Sequence, residues 1–440
     1  MHVAHFLQRY PPALGGSEAY FARLTESLRA AGDTVTVFTS NAIELGDMWR
    51  PRAITLPLPA GGDKQLASGF SPSPLEGEGR GGGDGSIGAP RPPTLTLPGG
   101  GDEAHLRRYR PLTFPGRRYV LKALSLLPIR RLQALTLPCN PVCPDMWRDA
   151  GAFDGPLDAV HATAFPYTFP IACGLRLARR RKVPFFLTPF LHLGDPNDPN
   201  DRTRRQYTAP VLRWLLRQAD GIFVQTEGER RAVVDLGVPE SRVILQGLGV
   251  DAAECTGGDR ATARRTWGVH DDEIVVGQLA NLSEEKGTID LLKANPAARI
   301  VLAGPAMPNF ERFWRDYPHK DRVVRLGVLS EPAKRDFYAG IDVFFLPSRT
   351  DSFGLVLLEA WANAKPVAVY RAGGPAELVR DGVDGIVADC NPESLAQGMR
   401  AFADPLHRAA MGSSGRERVL RDFRWPEKLS IVRDALRARA

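Results

Sequence analysis

The run Leu346 to Ala362, LPSRTDSFGLVLLEAWA, holds the residues best placed to do chemistry. An apolar strand at Val343–Leu346 enters a polar turn, and the pattern predicts a helix starting near Phe353-Gly354. Asp351 lies in the turn, and Glu359 lies about a turn and a half into the helix. One carboxylate then reaches a ligand beside the helix N-terminus while the other lines the pocket wall. Backbone amides at Phe353, Gly354 and Leu355 would be free to meet phosphate or sugar oxygens. Glu359 has Leu357, Leu358, Ala360 and Trp361 as neighbours, and a carboxylate in such a setting is seldom buried without a partner. Two carboxylates at this spacing also arise by chance; the strand–turn–helix setting is what favours function.

Two further loops follow strands. Gly277 to Gly287, GQLANLSEEKG, ends in Lys286-Gly287 at a helix start. A lysine there faces the positive end of the helix, an odd choice unless an anion sits between them; a plain surface lysine is the alternative. Gly15-Gly16-Ser17-Glu18 follows the first strand and opens the first helix. Paired glycines let a ligand approach the backbone, and the helix start offers amides to an anion. A Gly-Gly junction is common, so alone it is a weak signal.

The elements that must position these loops alternate along the chain. Strands are expected at Val3–Leu7, Thr34–Thr39, Ala159–Ala162, Phe185–Thr188, Gly221–Gln225 and Arg242–Leu245, then at Ile274–Leu279, Arg299–Ala303, Val323–Leu326, Val343–Leu346 and Val367–Tyr370. Helical patterns lie between them, which implies an α/β fold of two doubly wound parallel sheets. The division reads as a first domain over 1–246, a second over 247–424 and a terminal helix over 425–440. In such sheets ligands bind beyond the carboxyl ends of the strands. Residues 61–101 hold 13 Gly and 6 Pro; such a stretch buries too little apolar surface to offset its ordering entropy and reads as a disordered insertion.

Composition excludes several classes. Five cysteines without Cys-x-x-Cys spacing argue against a disulfide framework or a zinc site. No apolar run of about 18 residues predicts a transmembrane helix. The start shows no secretory pattern, so a cytoplasmic chain is expected. Residues 1–245 carry 30 Lys and Arg against 23 Asp and Glu, whereas the remainder is balanced. Residues 104–144 hold eight basic residues and no acid, interleaved with apolar ones. That stretch suits an anionic membrane at the inner face or a negatively charged acceptor; a core helix with a solvated arginine face is the plainer reading. No nucleic-acid motif accompanies the charge.

The ordered set of segments resembles the retaining, nucleotide-sugar-dependent glycosyltransferases of family 4, with two facing Rossmann-like domains (the GT-B fold). It includes PPALGGSEAYFARLTESLRAAGDTVTVFT, DAVHATA, the Lys286-Gly287 segment, IVLAGP, AGGPAELVRDGVDGIV, the terminal FRWPEKLSIVRDAL, and Asp351-x7-Glu359 in place of an E-x7-E motif. The resemblance implies that Glu359 accepts hydrogen bonds from ribose hydroxyls and that Asp351 lies near the donor sugar. Ser352, Phe353, Gly354 and Leu355 would present amides to sugar and diphosphate. Lys286, beside Gly287, would sit on the diphosphate, with Gly15 and Gly16 close to it from the first domain. His192 resembles the first-domain histidine near the donor sugar, with a core histidine as the alternative; His161 is a weaker candidate.

Two departures stand out. The family commonly has Gly-Arg-Leu where this chain has Gly277-Gln278-Leu279, so Gln278 would meet the donor without the cation, and Asn281, a further donor contact, or an arginine elsewhere would have to compensate. Asp351 is one methylene shorter than the usual glutamate. The resemblance implies transfer of a hexose from a UDP- or GDP-sugar to a lipid-linked, polysaccharide or other glycan acceptor, with no cofactor and no metal. Two alternatives stay open: a catalytically silent binding protein of this fold, and another sugar-processing enzyme sharing it.

Overall fold

The computed structural model describes residues 1–13, 15–49, 105–196, 198–294 and 298–439. The Gly- and Pro-rich stretch 61–101 lies outside them. The first sheet contains β1 (His2–Leu7), β2 (Thr34–Ser40), β3 (Leu106–Tyr109), β4 (Ala159–Ala162), β5 (Phe185–Leu187), β6 (Gly221–Val224) and β7 (Val243–Leu245). They lie in the order 3-2-1-4-5-6-7, every pair parallel. The second sheet contains β8 (Val275–Leu279), β9 (Arg299–Ala303), β10 (Val323–Gly327), β11 (Val343–Leu346), β12 (Val367–Tyr370) and β13 (Gly385–Ala388). Its order is 10-9-8-11-12-13, again all parallel.

Central strands are buried on both faces. Val343, Phe344, Phe345 and Leu346 of β11 are all inaccessible to solvent, as are Val367 to Tyr370 of β12. That is why they read as continuous apolar runs rather than alternating ones. The two strands the periodicity misses, β3 and β13, are both edge strands. An edge strand has one neighbour and a solvated side, so its sequence need not be apolar, as in β3; β13, GIVA, is apolar and largely buried but is a run of only four residues opening on glycine. β3, LRRY, places Arg107 over the rings of Phe38 and Phe153 at 5.4 and 5.2 Å instead of burying an aliphatic residue.

The basic stretch is not one core helix. It divides into β3, a helix at Arg117–Ser125, a second at Arg130–Thr136 and an extended return. Beyond β13, a helix at Pro405–Asp422 leads into the last helix, Trp425–Arg437, which lies against the first domain. Arg437 reaches Asp33 at 3.1 Å, and the Trp425 and Tyr20 rings are 6.2 Å apart. Where the chain crosses back, Val250 runs parallel to Arg424 and its amide donates to the Phe423 carbonyl at 2.8 Å. Among the described residues no helix is long and apolar enough to cross a membrane.

Candidate active site

Loops following β1, β4 and β5 of the first sheet and β8 and β11 of the second line one cavity of about 440 Å³. This is the position that strand polarity reserves for ligands in open parallel sheets. The cavity gathers Gly15, Gly16, His192, Asn281, Lys286, Asp351, Ser352, Phe353, Gly354 and Leu355. The helix that follows the turn runs Leu355–Ala362, two residues later than its pattern suggests, because Gly354 takes φ 89° and serves as N-cap. The Leu357 amide donates to the Gly354 carbonyl at 2.9 Å, which leaves the amides of Leu355 and Val356, both lining the cavity, at the open helix start.

Close backbone approach holds these loops together. Gly287 takes φ 68°, and a Cβ there would lie 1.9 Å from the Pro347 carbonyl oxygen, so the lysine loop abuts the turn after β11. A Cβ on Gly374 would lie 1.9 Å from the Ser352 carbonyl oxygen. The Gly374 amide donates to the Asp351 carbonyl at 3.1 Å. The AGGP turn after β12 is thus the floor on which the Asp351–Gly354 turn rests.

Lys286 Nζ lies 2.6 Å from Asp351 Oδ1. Burial alone would raise the Asp351 carboxyl, but the ammonium beside it holds it below the usual carboxylate range. Across the cavity His192 stacks on Tyr207, with ring centroids 4.5 Å apart and 8° between planes. Burial, reinforced by Lys286, pushes the imidazole down to about 4. At neutral pH it is an uncharged donor and acceptor.

Three expected contacts are placed differently. Gln278 is fully buried; its Nε2 donates to the Lys286 carbonyl at 3.0 Å, so it braces the lysine loop and does not line the cavity. Gly287 contributes backbone geometry one residue behind Lys286. Glu359 lines an adjoining cavity of about 500 Å³ that shares Gly15 and Leu355 with the first. There Lys334 Nζ lies 3.0 Å from Glu359 Oε1, and Tyr338 Oη donates to Oε2 at 2.8 Å. Burial opposes the charge on Lys334, yet Glu359 holds that ammonium above its usual range. These partners explain how a carboxylate persists in an apolar helix.

His161 belongs to the core. It pairs in register with His5 across β1 and β4, its Nε2 is 2.8 Å from Thr188 Oγ1, and burial drives its pKa well below the usual value. Sequence reasoning misses Arg9 and reaches Glu18 only as part of the Gly15–Glu18 loop, with no role of its own; the two face the cavity from the first domain and pair at 2.7 Å. Gln8 Nε2 donates to Glu18 Oε1 at 3.3 Å, and Ser17 Oγ to Oε2 at 2.8 Å. The only available signal was position: Gln8-Arg9 are the first residues beyond the carboxyl end of β1.

Two facing Rossmann-like domains with a cleft lined by cations, carboxylates and a helix N-terminus define the GT-B class of sugar-transferring enzymes. The chain belongs to the glycosyl transferase group 1 family: residues 259–418 match the model described as glycosyl transferases group 1, and residues 15–249 match the glycosyl transferase 4-like domain. Among curated proteins it is similar to the D-inositol 3-phosphate glycosyltransferase of Thermobifida fusca, 30% identical over 243 residues, 50% of this chain and 55% of that one. The protein of the same name from Kribbella flavida is 31% identical over 48% of this chain and 54% of its own. The chain spans about half the length of these curated relatives in the matches. Among solved structures, the Anabaena HepE in complex with UDP superposes with a TM-score of 0.65 at 16% identity, covering all of both chains. The sucrose-phosphate synthase of Thermosynechococcus elongatus gives 0.66 at 20% identity, covering 99% and 98%. At these identities the likeness is one of fold.

Proposed function

We propose that this protein moves a hexose from a nucleoside-diphosphate sugar to a glycan or lipid-linked acceptor, with retention at the sugar carbon and without a metal ion. The observation that carries the reading is the juxtaposition of Lys286, Asp351 and the amides of the Leu355–Ala362 helix in one cavity. Solved neighbours of this fold hold UDP and UDP-glucose, which supports a nucleotide sugar as donor.

In this reading the diphosphate lies against Lys286 and the amides at Phe353 to Leu355. As the bond from the sugar carbon to the phosphate oxygen breaks, charge grows on the leaving oxygen, and fixed cations and helix amides meet it. The acceptor oxygen bonds to the same face of the oxocarbenium-like carbon, and its proton passes to the departing phosphate oxygen. Asp351 and the neutral His192 hold the sugar hydroxyls. Glu359, in the adjoining cavity, accepts from the ribose diol. Arg9 supplies a second cation from the first domain, whereas Gln278 of the second brings none.

The test is a panel of UDP-, GDP- and ADP-sugars read by thermal shift, then by release of nucleoside diphosphate with EDTA present. A donor at 100 times its Kd stabilises by about 2.7 kcal/mol. Stabilisation without any release of diphosphate in the presence of acceptors would favour a silent binding protein. Transfer abolished by EDTA and restored by Mg²⁺ would overturn the metal-free mechanism.

A further inference from the structure

Among the described residues, eight of the fourteen large apolar side chains left exposed fall within residues 112–129. The helix Arg117–Ser125 buries only Arg117 and Leu121. Tyr119 is 78% exposed on it, and in the link to the next helix Leu126 is 75% and Ile129 56% exposed. The tip of this hairpin, Leu126-Leu127-Pro128-Ile129, carries no polar side chain. Arg118 and Lys122 flank it on one helix, Arg130 and Arg131 on the other, all four exposed. No acidic residue occurs from 104 to 144. The hairpin is held from below: Arg117 bonds the Asn140 carbonyl, and Asn140 Nδ2 donates to the Ala134 carbonyl at 3.0 Å.

We infer that this hairpin docks on an anionic lipid bilayer, its apolar tip entering the interface and its four cations meeting the headgroups. The inference rests on the transfer reading above for its purpose, which is to hold the cleft beside a lipid-linked acceptor. An apolar tip alone would suit a protein partner, and cations alone would suit nucleic acid. The two combined on one protruding element, with no acid among them, match the amphipathic surface of interfacial segments. The position fits as well. Three residues past the second helix, Cys139 Sγ donates to the Pro166 carbonyl at 3.6 Å, and Pro166 lines the cleft. The base of the hairpin therefore adjoins the first-domain rim of the cavity.

The experiment is co-sedimentation of the full chain with vesicles of 70% phosphatidylcholine and 30% phosphatidylglycerol, and with vesicles of phosphatidylcholine alone. Binding is expected to the anionic vesicles and to weaken as salt rises. Each headgroup-facing charge contributes roughly fivefold in partition, so Arg118→Glu with Lys122→Glu should lower binding by about twentyfold or more. Leu126→Ser with Ile129→Ser should lower it at every salt concentration. Thermal shift with UDP-, GDP- or ADP-glucose checks that both variants fold and keep the donor cleft. Equal binding of the wild-type chain to both vesicles, or variants that sediment like wild type, overturns the inference. So does a dimer that Leu126→Ser with Ile129→Ser dissolves without vesicles, since the face would then cover a second copy. If vesicles bind as expected while no nucleotide sugar stabilises the chain, the docking surface stands and the transfer reading falls.

Discussion

Lys286 Nζ and Asp351 Oδ1, 65 residues apart in sequence, stand 2.6 Å apart and compensate each other's charge inside the cleft. A diphosphate entering there must share the ammonium with a carboxylate already in place. Lys286→Ala is therefore expected to lower kcat by about 10²–10³, the scale of losing one preorganised electrostatic donor. Asp351→Asn separates the roles: the free lysine should hold nucleoside diphosphate at least as tightly while sugar transfer falls. Calorimetry with UDP and GDP beside steady-state rates checks both. Unchanged kcat in Lys286→Ala would remove the lysine from the reaction.

Glu359 is oriented by Lys334 and Tyr338. Glu359→Gln keeps the shape but loses one acceptor oxygen, and it leaves Lys334 with only the more exposed Glu331, 2.9 Å away, as counter-charge. Nucleotide affinity should fall by about 1–3 kcal/mol. Tyr338→Phe removes only the orienting hydroxyl, so its cost should be smaller. Titration with the free nucleoside diphosphate measures both; equal affinities across the three proteins would place the ribose elsewhere.

Gly374 carries the turn that carries Asp351. In Gly374→Ala the new methyl meets the Ser352 carbonyl and the Phe353 nitrogen, so backbone must move. A loss of about 1–3 kcal/mol in stability is expected, with kcat/KM falling more than the small change in fold would suggest. Chemical denaturation and donor kinetics on the same preparation check the pair. A wild-type kcat/KM would show that the turn tolerates the shift.

Two buried histidines set an acid limit. Burial, with Arg29 adding to it, pushes His5 down to about 3, and burial drives His161 well below its usual value. Both are neutral in the fold yet take up protons near 6.5 when unfolded. Their contribution is complete above about pH 6.5 and is lost as pH falls toward the folded values. Each contributes a slope of up to about 1.4 kcal/mol per pH unit. His161→Gln should flatten the decline by about that amount between pH 6 and 5, read from urea unfolding at each pH. An unchanged slope would mean that His161 carries its proton in the folded state.

The chemistry of the second domain was legible because buried parallel strands announce themselves. The run Val343–Leu346 and the glycines after it mark a strand–turn–helix without any tertiary information. What could not be read formed across distance. Arg9 meets Glu18 only because the loop after β1 folds back on the helix it precedes, and Lys334 and Tyr338 reach Glu359 from a separate helix. Gln278 looked like a ligand contact by position, yet its side chain turns under the loop it braces. His161 stood out as a polar residue in an apolar strand; its register partner His5 shows that the pattern was a core pair. β3 escaped because an edge strand has no need of an apolar face on its open side, and β13 because its apolar run is only four residues long and opens on glycine.

The chain passes between the domains twice, at Val250 and again at Phe423–Arg424, and the two passages lie side by side and hydrogen-bonded. A Cβ on Gly249 would sit 2.7 Å from the Trp425 nitrogen, so they are in backbone contact. One connection alone would act as a swivel; a bonded pair fixes a single axis. A hinge at such a pair would leave rotation about that axis as the motion that opens the cleft, and would resist sliding or twisting of one half against the other. The last thirteen-residue helix, whose Trp425 also lines the cavity of Glu359, thereby ties that cavity to the crossing point of the two halves.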